Sequence, residues 1–412
     1  MADVRPFRAL RPRADLAAKV ASPPYDVLSS EEARVMADGN PYAFLHVSKP
    51  EIDMPAGTEL YSDEVYAKAR ENFDRFVAEG VLFREDRPAF YLYQQQMNQH
   101  VQIGLVAGAS VVEYERDLIR KHELTRRDKE DDRTRHIEAL NTQAGPVFLT
   151  YHARPEIDSL IGRLKASSPT YSFAAPDGIG HTVWVVDSPA DVAAIRRAFG
   201  AIDRLYVADG HHRSAAATRV CSVRRAANPG HTGDEAYNHF LAVIFPHDQM
   251  KIMAYNRVVH DLLGRSPEQF LHEVSTRFVV EPGRKREPAV VHDFGMYLGG
   301  AWYRLTAKPE SFPSGDPVKS LDVSILQDNL LAPILGIHDP RTDKRIDFVG
   351  GIRGLDELEK RVHQGMAVAF ALHPTTIEQL MSVADSGMMM PPKSTWFEPK
   401  LRSGLVVRPL SD

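Results

Sequence analysis

The sequence predicts a mixed α/β (α+β) fold, on three observations. Strand-sized apolar runs alternate with helical periodicities along most of the chain, the pattern of mixed α/β architectures. At 412 residues the chain exceeds one small core, so it forms two or more units or one large body with insertions. Hydrophobic residues make up 43% and charged residues 25%, ordinary for a chain that buries a core, and no repeat or low-complexity tract interrupts it.

The elements follow in order. Pro23-Pro24-Tyr25-Asp26 predicts a rigid extended turn, because each proline restricts the residue before it. Ser29 or Ser30 caps a helix through Arg34. Tyr61 to Glu79 is an amphipathic helix with Val65, Ala69, Phe73 and Phe76 on one face, closed by Gly80. Ala89 to Gln94 and Gln99 to Val112 are strands joined as a hairpin through Asn98. Glu113 to Ala144 is highly charged and mostly helical. Strands are expected at Val147–Tyr151, Thr182–Val186, Leu205–Ala208, His239–Pro246 and Ile252–Val259, with helices at Pro155–Ala166, Pro189–Phe199 and Ser214–Val220. Further on, Met296 to Leu305 is strand-like with a Gly-Gly bend, and strand and helix signals alternate from Ile346 to Ala384. Residues 281–288, with two prolines, a glycine and three cations, form the clearest linker or exposed loop. That loop divides a body, 1–280, from a C-terminal α/β part, 289–412.

Net charge is −5 and the pI is near 6.4, so nothing draws the whole molecule to nucleic acid or anionic membrane. Cys221 is the only cysteine, which excludes an internal disulfide and a Cys-rich zinc site and fits a reducing compartment. No secretory h-region opens the chain, and no apolar run approaches the ~20 residues a membrane span needs. The expected location is cytoplasmic.

One string carries chemistry. The strand ending at Asp209-Gly210 leads through His211-His212-Arg213 to a helix of small residues beginning at Ser214. Gly210 permits a sharp turn and close backbone approach. The first amides of a helix lack partners and sit at the positive end of its dipole, which suits an anion. Arg213 adds a planar fork for phosphate oxygens. One histidine contacts phosphate or moves a proton while the other braces the turn; adjacent histidines point apart and are poor joint ligands for one metal. The bland alternative is a charged helix start that hydrogen-bonds its own turn.

The string resembles the Gly-x-x-Arg turn of the ParB/sulfiredoxin-like superfamily. Over nearly its full length the chain resembles the prokaryotic family known as domain of unknown function 1015. The likeness runs through Pro6-Phe7-Arg8-Ala9-Leu10, Ser22 to Val27, Asn40-Pro41, His46-Val47, Pro50-Glu51-Ile52, His122-Glu123, Asp132-Arg133, the central string and Met390 to Phe397. It implies a ParB/sulfiredoxin-like core with large insertions and a C-terminal α/β extension. Superfamily relatives include free-serine kinases, CTP-binding partition proteins and sulfiredoxins, so it also implies a nucleotide phosphate held at Gly210 and Arg213. The turn lacks the cysteine that sulfiredoxin chemistry requires. In the serine kinases an acidic residue in the N-terminal part activates the hydroxyl; Asp26 and Glu51 are the local candidates.

Three further stretches complete the candidate site. In the charged run, read as a lid or arm, His122 and Glu123 suit proton transfer or substrate contact, Asp131 or Asp132 suits Mg²⁺, and Arg133 suits phosphate; such runs are also solvated helix faces. Tyr25 beside Asp26 is turned toward a pocket or packs as an arm. Lys393, Ser394 and Thr395 offer phosphate or carboxylate contacts, or form a structural tail. Gly350-Gly351-Ile352-Arg353-Gly354 is neither a dinucleotide fingerprint nor a P-loop and reads as a tight strand–helix turn.

The leading functional expectation is a kinase that moves phosphate from ATP or ADP, with Mg²⁺, to a small hydroxylated metabolite such as free L-serine. The alternatives are a nucleotide-binding switch that phosphorylates nothing, and a phosphate-ester hydrolase. Homo-oligomerisation is left open.

Overall fold

The structure, a computed structural model, describes residues 2–411. They divide into two compact units: residues up to Met250 together with those from Pro399 onward, and Lys251–Glu398.

The first unit is built on a nine-stranded mixed sheet. Its strands are β1 (Val4–Arg5), β2 (Phe90–Met97), β3 (His100–Ser110), β4 (Ile119–Arg120), β5 (Val147–Tyr151), β6 (Tyr171–Ala174), β7 (Gly180–Val186), β8 (Leu205–Asp209) and β9 (His239–Pro246). The order is β4-β8-β5-β9-β3-β2-β7-β6, with β1 also on β3. β8 runs parallel to β4, and β9 parallel to β5. The other pairings are antiparallel. β2 and β3 form a hairpin whose last pair is Met97 with His100. Asn98 turns it at φ 56°, a conformation asparagine tolerates better than most residues.

Six longer helices accompany this sheet: α1 (Ser30–Ala37), α2 (Asp63–Ala78), α3 (Arg127–Leu140), α4 (Pro155–Leu164), α5 (Pro189–Gly200) and α6 (His211–Ala227). Ser29 caps α1 through a full capping box with Glu32, which satisfies two otherwise orphaned amides. α4 and α5 start with proline at N1 or N2, where its missing N–H costs nothing. α4 and α5 turn Ile157, Ile161, Leu164, Ile195 and Phe199 into a core with Leu149, Val207 and Ile244 of the sheet. Burial of each such side chain contributes roughly 1.5–3 kcal/mol. A second cluster joins Phe73 and Phe76 of α2 to Phe44, Leu140 and Val407.

The second unit holds a six-stranded sheet of β10 (Tyr255–Val259), β11 (Phe278–Pro282), β12 (Asp293–Leu298), β13 (Ala301–Ala307), β14 (Ile346–Gly350) and β15 (Val368–Leu372). The order is β11-β13-β12-β15-β10-β14, antiparallel throughout. β12 and β13 turn on Gly299 and Gly300, both at positive φ. Its longer helices are α7 (Pro267–Ser275), α8 (Gly354–His363) and α9 (Ile377–Asp385). Leu358 of α8 packs on Val258, Tyr297 and Trp302.

Four expectations from the sequence are corrected. Residues 281–288 do not separate the units: Glu281 and Pro282 end β11, paired to β13, and the rest is an exposed loop inside the second unit. The division falls at Met250/Lys251 and Glu398/Pro399 instead. α6 begins at His211 rather than Ser214, so both histidines and Arg213 stand in its first turn. The charged run 113–144 is not one helical stretch; β4 and the segment 121–126 interrupt it. α7 escaped the sequence reading although Ser266 and Gln269 form its capping box. Among the described residues no helix is long and apolar enough to cross a membrane.

Candidate functional site

The site lies where β8 meets α6. Between Val207 and Asp209 the ladder with β5 slips register, and such bulges re-aim side chains. Gly210 is the N-cap of α6 at φ 98° and ψ 30°, and no side chain caps the helix. A Cβ at Gly210 would meet the Arg213 guanidinium at 3.1 Å and Val147 Cα at 3.4 Å. Glycine therefore serves both the turn and the close approach.

Arg213 is the hub. Its side chain is 8% exposed and its Nη2 lies 3.5 Å from Asp26 and 3.6 Å from Asp209. Its Nη1 donates to the Pro146 carbonyl, while its buried Nε has no hydrogen-bond partner. Asp209 also takes the Lys400 ammonium at 3.0 Å. Burial works against the charged Asp209 carboxyl, but Lys400 and Arg213 outweigh it and hold it well below the usual carboxylate range. Burial likewise works against the Arg213 cation, and Asp26 and Asp209 overcome it. Ser214 bonds its own turn, donating to the His211 carbonyl at 3.0 Å.

A second cation stands nearby. Arg133, on α3, pairs with Asp132 at 2.7 Å and carries the Tyr25 ring 3.8 Å above its guanidinium carbon, a cation–π contact. Burial is also the main force raising the Tyr25 phenol. Tyr25, Arg133, His136, Ser48 and Arg213 line a cavity of about 40 Å³, room for roughly two or three waters. The His136 imidazole is pushed down to about 4 by burial and then by Arg133.

The segment 121–126 lies against the start of α6. The Arg126 amide donates to His212 Nε2 at 3.0 Å. The His122 and His211 rings meet edge-on, with centroids 4.5 Å apart, and His211 Nδ1 is 3.7 Å from Glu123. Burial drives His122 down to about 4 and, with His122 beside it, drives His211 well below the ordinary histidine range. Burial lowers His212 too. The three imidazoles are therefore neutral at neutral pH.

The structure thus gathers Tyr25, Asp26, Arg133, Asp209, Gly210, His211, His212, Arg213, Ser214, His122 and Glu123 around one helix start. Other expected residues are engaged elsewhere. Glu51 accepts from Ser30 at 2.7 Å and faces Lys49 at 3.0 Å. Asp131 is paired with Arg219 at 2.6 Å, and Asp132 with Arg133 and the Tyr66 hydroxyl. Asp131 and Asp132, each read as a Mg²⁺ ligand, thus both carry an arginine partner. Lys393, Ser394 and Thr395 lie in the second unit. Lys393 sits at φ 58° and its carbonyl accepts from Arg257. Ser394 is buried, donating to the Pro391 carbonyl and accepting from Thr375. That turn stitches its own unit together.

Sequence reasoning missed Lys400, His136, Ser48 and the Pro146 carbonyl. Nothing local marks them; the Lys400–Asp209 pair spans 191 positions.

A family model described as "Protein of unknown function (DUF1015)" matches residues 4–324. No curated protein matches the chain. Among solved structures it is similar to a free serine kinase in complex with AMP, at 13% identity and TM-score 0.34, covering 68% of this chain and 84% of that one. It is also similar to a conserved hypothetical protein from Pyrococcus furiosus (12%, 0.35, 71% and 92%). A third is SbnI with C-terminal truncation from Staphylococcus aureus (13%, 0.38, 74% and 87%). At these scores the likeness carries no argument about this chain.

Proposed function

We propose a function for this chain, which belongs to the DUF1015 family of proteins of unknown function: it binds a nucleoside phosphate at the Asp209–Ser214 turn and transfers a phosphoryl group to a small hydroxylated metabolite, with free L-serine the first acceptor to test. One observation carries the reading. Arg213 stands at a glycine-capped helix start with its guanidinium shared by Asp209 and by Asp26, and the Asp26 side chain is 39% exposed. An anionic phosphate can take the place of Asp26 there.

Two consequences follow from that exchange. Phosphate on Arg213 meets the positive start of α6, where no side chain caps the helix and the Arg213 and Ser214 amides turn back on the Gly210 carbonyl, with Arg133 lining the same cavity as Arg213. Asp26, released from its cation, becomes a base for the acceptor. The acceptor hydroxyl oxygen then bonds to phosphorus, its proton passes to Asp26, and the shortened nucleotide leaves. Glu51 suits the role less, because Lys49 already holds it. A nucleotide's Mg²⁺ would supply charge neutralisation on the phosphates.

The cavity of about 40 Å³ favours a second reading as well. Tyr25 lines that cavity, and a protein that moves the Tyr25–Asp26 turn on binding nucleotide without transferring phosphate is a nucleotide switch.

The test begins with thermal shifts under ATP, ADP, CTP and inorganic phosphate, each with Mg²⁺. Incubation with L-serine, followed by phosphorus NMR, then separates kinase from switch. Asp26→Asn should bind nucleotide several-fold more tightly, because Arg213 loses a competitor. Its turnover should fall at least about 100-fold. Weaker nucleotide binding in Asp26→Asn would sink the exchange.

A further inference from the structure

We propose that His122, Glu123 and His211 form a binding site for a divalent transition metal of the Zn²⁺ class. One ligand atom from each lies within 4.8 Å of the other two, the one such group among the described residues. His211 Nδ1 faces Glu123 Oε2 at 3.7 Å, and the two imidazoles meet edge-on at 89°.

The second observation is His122 itself. It is 1% exposed, and neither ring nitrogen makes a hydrogen bond of good geometry, although the Val207 backbone lies close to the ring. Native structures seldom leave a buried imidazole with both nitrogens unsatisfied. A metal ion satisfies it directly, since the neutral ring offers a lone pair.

The donor set selects the ion. Two imidazole nitrogens and one carboxylate match Zn²⁺ and its neighbours, whereas Mg²⁺ takes oxygen ligands in a near-ideal octahedron. Ligands about 2.0–2.1 Å from a tetrahedral ion stand closer together than these three do. The closure falls to Glu123, whose side chain is 44% exposed on the segment between β4 and α3. Three protein ligands leave one position open, as in catalytic rather than structural sites. Ligation through His211 Nδ1 puts the hydrogen on Nε2, opposite the His122 amide. The 3.5 Å contact from that amide must then open, which gives metal binding a local signature.

This site goes beyond the phosphate reading, and its test uses no nucleotide. The full-length protein is stripped with chelator, freed of it, and titrated with Zn²⁺ by calorimetry and with Co²⁺ by visible absorption. Expected are one ion per chain, the ligand-field bands of low-coordinate Co²⁺, a shifted His122 amide resonance, and no competition from Mg²⁺. His122→Gln and His211→Gln should each weaken Zn²⁺ binding at least tenfold. His231→Gln, which breaks a different His–Glu pair at 3.0 Å, should leave it unchanged. Glu123→Gln, at a half-exposed position that tolerates substitution, should also weaken it and covers the case in which the buried variants do not fold. No uptake by the stripped protein, or a folded Glu123→Gln variant that binds like the parent, overturns the site. A nucleotide-induced thermal shift without Zn²⁺ uptake would overturn this site and leave the phosphate reading standing. Zn²⁺ uptake without any nucleotide shift would do the reverse.

Discussion

Replacing Arg213 with alanine should destabilise the first unit by about 3 kcal/mol. The figure follows from what the guanidinium touches. Cutting a buried ion pair by removing one partner costs roughly 3–5 kcal/mol, but Asp209 keeps the Lys400 ammonium at 3.0 Å, which lowers that cost. Asp26 is 39% exposed, so its lost contact is screened and adds little. The buried Pro146 carbonyl loses its Arg213 donor, at about 1–3 kcal/mol. The guanidinium and its stem, 8% exposed, leave a void beside Gly145 and Gly210. The assay is urea unfolding of the parent and the variant, followed by probes in each unit. A loss of about 3 kcal/mol moves a melting transition of this size by roughly 6–12 °C. It should appear in the first unit's transition alone, because every partner named lies there. A change below about 0.5 kcal/mol would refute the account of Arg213 as a buried hub. One corollary concerns experimental design: lost activity in Arg213→Ala confounds ligand contact with folding, and Asp26→Asn does not.

Gly210→Ala forces a side chain to φ 98° and against Arg213 at 3.1 Å; unfolding should report a loss of about 2 kcal/mol. Gly162→Ala, at an exposed position of α4 with open space around its Cβ, should instead gain roughly 0.5–1 kcal/mol in the same assay. In the second unit, burial and then Asp293 raise the Asp322 carboxyl to about 7. Its protonated form is the one the fold prefers, so its contribution is full below the unfolded value near 3.8 and is lost as pH climbs to about 7. Asp322→Asn should abolish this component, worth roughly 4 kcal/mol at most over that window. The parent-minus-variant stability would be read by denaturation at pH 4, 5.5 and 7, and a flat difference would remove the buried carboxyl from the pH response.

Local signals in the sequence were legible because local physics decides them. The Ser29 cap, the turn at Asn98, the prolines opening α4 and α5, and the Gly299–Gly300 bend each depend on a few neighbouring residues. The glycine-led helix start was legible for the same reason, although its first turn came three residues earlier than expected. What could not be read was pairing at a distance. Arg213 was expected to present its fork to a ligand, yet the fold supplies it with Asp26, Asp209 and the Pro146 carbonyl. Asp131, Asp132 and Glu51 were read as available carboxylates; Asp131 meets Arg219 of α6, 88 positions away, whereas Asp132 and Glu51 are paired by their near neighbours Arg133 and Lys49. The contact between His122 and His211 joins residues 89 positions apart, and no spacing rule reaches that far. The unit boundary was obscure because both crossings, at 250/251 and 398/399, come beside short strands rather than in loops of distinctive composition.

The first unit is discontinuous, and that imposes an order of events on a ribosome. Asp209 is made 191 residues before Lys400. At about 5–20 residues per second, the turn exists for roughly 10–40 s before its second cation has been synthesised. The whole second unit is made within that interval. Residues 399–411 also bring Val407 to Leu10, through paired backbone bonds, and Arg408 to the His239 carbonyl. The candidate site is therefore finished last, after the inserted unit has had time to fold, and a nascent chain stalled before residue 400 should carry the whole motif with Asp209 still lacking its Lys400 partner.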